Sequence, residues 1–220
     1  MSSRLRVFSS SVGTKILIGL TGIALFLFLI SHVVGNLLFL LGPKVFNTYS
    51  HILISNPAIP AIEVLLAIVF LIHAYKTVTN YLKNQQARPV AYVNKQPVGH
   101  VSRKSFASTT MVFTGLWLLL FVIIHVKSFK YGPWYEIPGE PGIRDIYRLE
   151  AESFQNPLVV GFYLVSMLVV GSHLWHGVLS AFQSLGAPNA SGAPGPRKTA
   201  AFAALVITGA FLLVVLSAFL

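Results

Sequence analysis

Residues 16–41, ILIGLTGIALFLFLISHVVGNLLFLL, run for 26 positions without a charged side chain and carry one histidine, His32. A helix needs about 20 mostly apolar residues to cross the hydrocarbon core of a bilayer. The apolar core of a secretory signal is roughly 7–15 residues and precedes a small-residue cleavage site. This stretch is longer and no such site follows, so it is expected to be a retained spanning helix. Outward from it, four more stretches have the same character, at about 59–78, 106–126, 157–182 and 199–220. The expected fold is an all-α membrane protein. Residues 1–220 are expected to form one domain, a bundle of five transmembrane helices.

Composition agrees. Of 220 residues, 55% are hydrophobic and 10% charged, against about 25% charged in soluble domains. Mean hydropathy is +0.72. Too few polar groups exist to cover a soluble globule, and too many apolar ones for a disordered chain. With no cysteine, the chain has no disulfide, no thiolate zinc site and no iron–sulfur cluster of its own.

The net charge of +10 reports topology. Eleven basic residues flank one side of the expected spans: Arg4, Arg6, Lys15, Lys76, Lys83, Arg88, Lys95, Arg103, Lys104, Arg197 and Lys198. Five flank the other: Lys44, Lys127, Lys130, Arg144 and Arg148. Basic residues concentrate in cytoplasmic connections, so the N-terminus is expected in the cytoplasm and the C-terminus outside. A nucleic-acid partner is not expected, because these residues sit between spans. Residues 127–156, with five of the six acids, form a long outer loop expected to fold over the bundle. Residues 186–198, GAPNASGAPGPRK, have the composition of a flexible linker.

Histidine is costly in a bilayer and marks function there. Five of the seven lie in the spans: His32, His73, His125, His173 and His176. Spans one and three start inside, so His32 and His125 lie near the outer face. Spans two and four start outside, so His73 and either His173 or His176 lie near the inner face. Depths of roughly 20–25 Å from each helix start follow from a rise of ~1.5 Å per residue. Two tiers result, each with imidazoles from two helices. That arrangement clamps an iron porphyrin on both faces and leaves no open coordination position, which favours electron transfer. Histidines acting only as interhelical hydrogen-bond glue are the plainer alternative. A di-iron hydroxylase would need several clustered histidine boxes, and only HLWH, His173 to His176, resembles one. Gly22, Gly35, Gly115, Gly171 and Gly177 permit close approach of a helix or macrocycle. Lys76, one turn past His73, is a candidate to pair a propionate or to anchor the helix at the inner face. Whichever of His173 and His176 is not a ligand is left to bond a propionate or a quinone, or simply to pack.

The chain resembles the single-chain, five-helix, di-haem cytochrome b subunit of succinate:quinone oxidoreductases (succinate dehydrogenase and fumarate reductase). The resemblance covers nearly the whole chain and rests on FLISHVVGN around His32, FNTYSH ending at His51, AIEVLLAIVFLIHAY with Glu63 and His73, FVIIHV around His125, and GFYLVSMLVVGSHLWHG with His173. It implies two haem b groups, one held by His32 and His125, the other by His73 and His173, so that haem iron is the metal. It also implies a flavoprotein and an iron–sulfur subunit on the cytoplasmic face, quinone (menaquinone for di-haem members) as the membrane substrate, and the cytoplasmic membrane as location. Succinate oxidation itself would reside in the partner subunits. The basic connection 79–104 is a candidate docking surface for them or for anionic lipid. Higher oligomers of the complex are compatible with this. Some fumarate-reducing relatives carry a glutamate two residues before the fourth-helix ligand; here that position is Gly171.

Quinone reduction takes two electrons and two protons, so its site needs an apolar pocket with a proton-carrying group. Glu63, the one acid outside the 127–156 loop, and His51 are the candidates. Two other functions remain compatible with the residues. One is the di-haem anchor of a formate dehydrogenase or hydrogenase. The other is a haem-free structural or transport protein.

Overall fold

The computed structural model of the protein describes residues 10–87, 106–186 and 194–220. It is an all-α bundle. Among the described residues, five helices are long and apolar enough to cross a membrane. Helix α1 spans Ser11–Leu37 and tightens into a 3-10 turn over Leu38–Leu41. It starts five residues before the expected span, because Ser10 caps it by accepting from the Gly13 N–H at 3.0 Å. A second helix, α2, covers Pro43–Ile54; α3 covers Ile59–Gln86 and α4 Phe106–Phe129. Two short strands, β1 (Glu136–Ile137) and β2 (Glu140–Arg144), precede α5 (Ile146–Ser153), α6 (Pro157–Ser184) and α7 (Pro194–Phe219).

The differences from the expected boundaries have local causes. Helix α3 runs eight residues past 78, through polar residues that need no bilayer to stay helical. The segment holding His51, expected as a short connection, is the helix α2. Gly42 turns the chain with φ 93°, a conformation open to glycine, and Pro43 then occupies the first helical turn, where its missing N–H is harmless. The linker 186–198 is helical from Pro194 onward; residues 187–193 lie outside the described residues, as do Arg4, Arg6 and positions 88–104 of the basic connection.

The loop 127–156 contains regular structure. Its strands pair antiparallel, Ile137 opposite Glu140, with Gly139 at φ 82° in the turn. Asp145 caps α5 by accepting from the Arg148 N–H at 2.9 Å. Helices α2 and α5 are joined by one side chain. The Asn47 amide donates to Asp145 Oδ1 at 2.7 Å and accepts from the Tyr147 N–H at 2.9 Å. Phe39 stacks on Tyr147 with ring centroids 4.3 Å apart. This assembly closes one end of the bundle, the capped end.

The buried core gathers at that end. Phe39, Phe46, Phe121, Phe154, Val160, Tyr163, Met167, Val214 and Val215 form one cluster among α1, α2, α4, α6 and α7. The opposite half is open by comparison, and α3 has no fully buried residue. Apolar side chains on the outward faces, such as Leu71, Phe113 and Leu205, are exposed, as lipid-facing residues of a bundle are.

Candidate functional site

The structure brings the spanning histidines together in two tiers. In the tier nearer the capped end, His32 of α1 and His125 of α4 face each other with ring centroids 5.8 Å apart and planes at 85°. His32 stacks on Phe28 at 5.4 Å and meets Phe211 of α7 at 5.9 Å. His125 stacks on Phe121 at 5.6 Å. Its Nδ1 lies 3.2 Å from the hydroxyl of Tyr163 on α6.

In the other tier, each histidine is held by a threonine on a neighbouring helix. His73 Nδ1 is 3.1 Å from Thr21 Oγ1 on α1. His173 Nδ1 is 3.1 Å from Thr114 Oγ1 on α4. The single proton of each hydroxyl is committed elsewhere, Thr21 donating to the Leu17 carbonyl at 2.7 Å and Thr114 to the Met111 carbonyl at 3.0 Å. Each hydroxyl is therefore left to accept from the imidazole. That fixes the proton on Nδ1 and the lone pair on Nε2 in both rings. A histidine prepared to bind a metal through Nε2 is held in this way, by a partner on its other nitrogen. His173 and His176 stand one turn apart on α6, so those two rings share one neighbourhood.

The two tiers are tied by a repeated spacing. Thr21 and Gly22 precede His32 in α1 as Thr114 and Gly115 precede His125 in α4: Thr-Gly, nine residues, His, in both cases. Eleven residues from Thr to His is about 16 Å of helix and returns within about 20° of the same face. Each of these helices thus aims a histidine at one tier and the support for a histidine at the other. The glycines complete the pattern. A Cβ on Gly22 would stand 3.3 Å from His73 Cε1, and one on Gly115 3.6 Å from His173 Cε1. Sequence reasoning missed the threonines, because a lone Thr in an apolar helix carries no signal by itself. Aligning span one on span three would have found them.

The remaining glycines have other roles. Gly35 lies under Tyr49, whose hydroxyl would be 2.9 Å from a Cβ there, so it seats α2 on α1. Gly171 faces Thr208 of α7, whose Oγ1 lies 2.5 Å from the point where a Cβ would stand. No side chain fits at 171 beside that threonine, which accounts physically for the absence of an acid at this position. Gly177 makes only an ordinary contact with Met111.

The residues fit an iron porphyrin, on three counts. Two imidazoles binding one metal at about 2 Å each have ring centroids about 6 Å apart, close to the His32–His125 separation. The Nε2 lone pairs of His73 and His173 are set by the threonines. And no residue of α3, which supplies His73, is fully buried, so this helix packs less closely than its neighbours. Among the described residues no group of three or more His, Asp or Glu converges as a metal-ion cage would require; the pattern is one of pairs.

His176 is half-buried beside His173, one turn on. Lys76 lines a groove of about 250 Å³ at the open end, between the start of α1 and the end of α3, with Thr14, Asn80 and Lys83. His51 is exposed on α2, its Nδ1 3.4 Å from Ser55 Oγ. Glu63 forms an ion pair with Lys130 that ties α3 to the end of α4, and its side chain is 43% exposed. Among the described residues no hydrogen bond or ion pair joins His51 to Glu63. A carboxyl that sequence reasoning left among the loop acids proves buried instead: Glu150 of α5 is 6% exposed.

Comparison with known proteins gives one direction. The chain is similar to the succinate dehydrogenase cytochrome b558 subunit of Bacillus subtilis (strain 168), with 27% identity over 155 residues, 70% of this chain and 69% of that protein. No protein-family model matches it, and no solved structure does.

Proposed function

We propose that this chain is the cytochrome b membrane-anchor subunit of a succinate:quinone oxidoreductase, succinate dehydrogenase or fumarate reductase, with two b haems. His32 and His125 would hold one, His73 and His173 the other. When bound through two imidazoles, such a group supplies one-electron transfer, here between an iron–sulfur partner subunit and membrane quinone, with no position open to oxygen. The observation that carries this reading is the pair of threonines. Thr21 and Thr114 present two histidines from different helices with Nε2 ready to ligate, one turn-matched distance from a second histidine pair. Histidines serving as interhelical glue would have no need of matched tautomers. Similarity to a succinate dehydrogenase cytochrome b subunit supports the choice of complex over other di-haem anchors.

The chain's own residues orient and insulate. Phe28, Phe121 and Phe211 surround the His32–His125 tier and exclude water from it. The capped end would face outward, as the distribution of basic residues implies, with the flavoprotein and iron–sulfur subunits at the open end, where Lys76, Lys83 and Lys15 lie. Quinone would be reduced near the capped tier, with His51 and Glu63 as its candidate polar contacts; the Lys130 partner keeps Glu63 at the rim of that end.

Purification of the intact complex tests the reading. Two b haems per chain, together with a flavoprotein and an iron–sulfur subunit and succinate-dependent quinone reduction, are expected. A colourless complex, or one haem per chain, would falsify it. A coloured complex bearing a different catalytic subunit would retain the two tiers and replace the reaction.

A further inference from the structure

Glu150 sits on the underside of α5, and its position is unusual for an acid from a loop that carries four others. Its neighbours on α5 behave as surface residues. Arg148 pairs with Glu152 at 2.7 Å and lies over the Tyr135 ring at 4.5 Å, and Asp145 is occupied by Asn47 and the Arg148 N–H. Glu150 turns the other way, to 6% exposure. Among the described residues no hydrogen bond or ion pair reaches its carboxyl.

Helix α5 packs on α2, α4 and α7, and through Phe154 it meets Tyr163 of α6, with rings 5.0 Å apart. The titratable groups on those elements are Lys44, Tyr49 and His51 on α2, His125 and Lys127 on α4, and Tyr163 on α6, with His173 and His176 of α6 in the other tier. The apolar segment of α7 has none. Beside α5 stand Arg144 and Asp145 at its start and Lys130 after α4. Burial alone acts on Glu150, with no charged neighbour contributing, and pushes its carboxyl up to about 8. Phe154, whose N–H donates to the Glu150 carbonyl at 3.1 Å, packs on Tyr163, and the Tyr163 hydroxyl is 3.2 Å from His125 Nδ1.

We propose that Glu150 is the proton-exchanging group of the capped tier, coupled through Tyr163 to His125, and that it takes up one proton when that tier gains one electron. This rests on the haem reading given above. An unpaired buried carboxylate is costly, and a neutral acid much less so. An electron added nearby makes the carboxylate costlier still. Glu150 therefore accepts a proton from the aqueous phase at the capped end, and the added charges cancel: one electron in from the iron–sulfur partner, one proton in from water. No bond other than the carboxyl O–H forms. Oxidation reverses both. Tyr163 is the positioning residue of this pair, since it packs on Phe154 at the end of the Glu150 helix and bonds the imidazole.

The test is a redox titration of the intact complex across pH 6–10, following the two haems separately by their spectra. In the wild type, one haem's midpoint potential falls as pH rises through the region of about 8, and the other's does not. In Glu150→Gln that slope is lost and the potential is flat. An unchanged slope in Glu150→Gln overturns the proposal. A complex without two haems overturns the functional reading instead, so the two failures are distinct. Should the variant not assemble, the wild type alone decides. Reduction near pH 8 in weak buffer must take up protons from the medium, and the infrared difference spectrum must show a protonated carboxyl gained on reduction. If no proton is taken up, the proposal fails.

Discussion

Thr21 and His32 stand on one face of α1, eleven residues apart, the first accepting a hydrogen bond from His73 and the second facing His125 across 5.8 Å. Thr114 and His125 repeat this on α4. Two helices thus each serve both tiers, and the tiers cannot shift relative to one another without breaking a helix.

Removing one histidine should empty one tier only. His32→Ala and His125→Ala are each expected to halve the haem content per chain and to remove the same spectral component. His73→Ala and His173→Ala should remove the other component. His176→Ala should keep both, since the Thr114 contact singles out its neighbour. Haem quantitation on the purified variants checks this; loss of a haem from His176→Ala would reassign the ligand.

Thr21→Val and Thr114→Val keep the side-chain shape and delete the acceptor for Nδ1. Loss of such an outer partner weakens metal binding by about 10–100-fold. The His73/His173 haem should therefore be released more readily, while the other tier is untouched. Haem retention during a chelating or detergent wash, compared tier by tier, is the measurement.

Gly171 and Thr208 form a pair that can be swapped. Gly171→Ala places a Cβ within 2.5 Å of Thr208 Oγ1, and overpacking of this kind costs about 1–3 kcal/mol. Because the Thr208 hydroxyl is buried without a partner, Thr208→Ala costs little on its own and should rescue Gly171→Ala. The thermal stability of the two single variants and the double variant gives the coupling, and additive losses would mean that the two positions do not clash.

Stability should also depend on pH through Glu150. With its folded carboxyl near 8 against an unfolded value of 4.5, the folded state binds the extra proton between these values. Stability therefore falls as pH rises from about 4.5 to about 8, and the contribution is lost above that. Thermal unfolding of the wild type should show this decline, and Glu150→Gln should flatten it.

Glu63→Gln is expected to lower quinone turnover while both haem spectra persist. The Lys130 contact is partly solvated, so little stability should be lost with it. Steady-state assay with a soluble quinone, alongside the spectra, separates the two effects; normal turnover would remove Glu63 from the quinone site.

The sequence made the spans and the approach of His32 to His125 legible, because uncharged runs near 20 residues and imidazoles inside them admit few interpretations in a bilayer. Alternation of helix direction then sorted the histidines by depth. What stayed hidden was held by local context. Thr21 and Thr114 look like filler in apolar helices, and only their contacts give them meaning. PKVFNTYSHILI is short and mixed, so its helix showed only once Asn47 was seen bonding α5. Glu150 lies among exposed acids, and nothing in the string of letters distinguishes the one that turns inward. Glu63 read as a lone acid near a membrane face because its partner, Lys130, is 67 positions away.

Helix α3 supplies a histidine, yet none of its residues is fully buried. The polypeptide by itself therefore holds this helix loosely, through half-buried side chains, the Thr21 contact of His73 and the Glu63–Lys130 ion pair. Loading the prosthetic group and closing the bundle would then be one event, so that an empty subunit presents a loosely attached helix to the lipid and to membrane proteases, and a filled one does not.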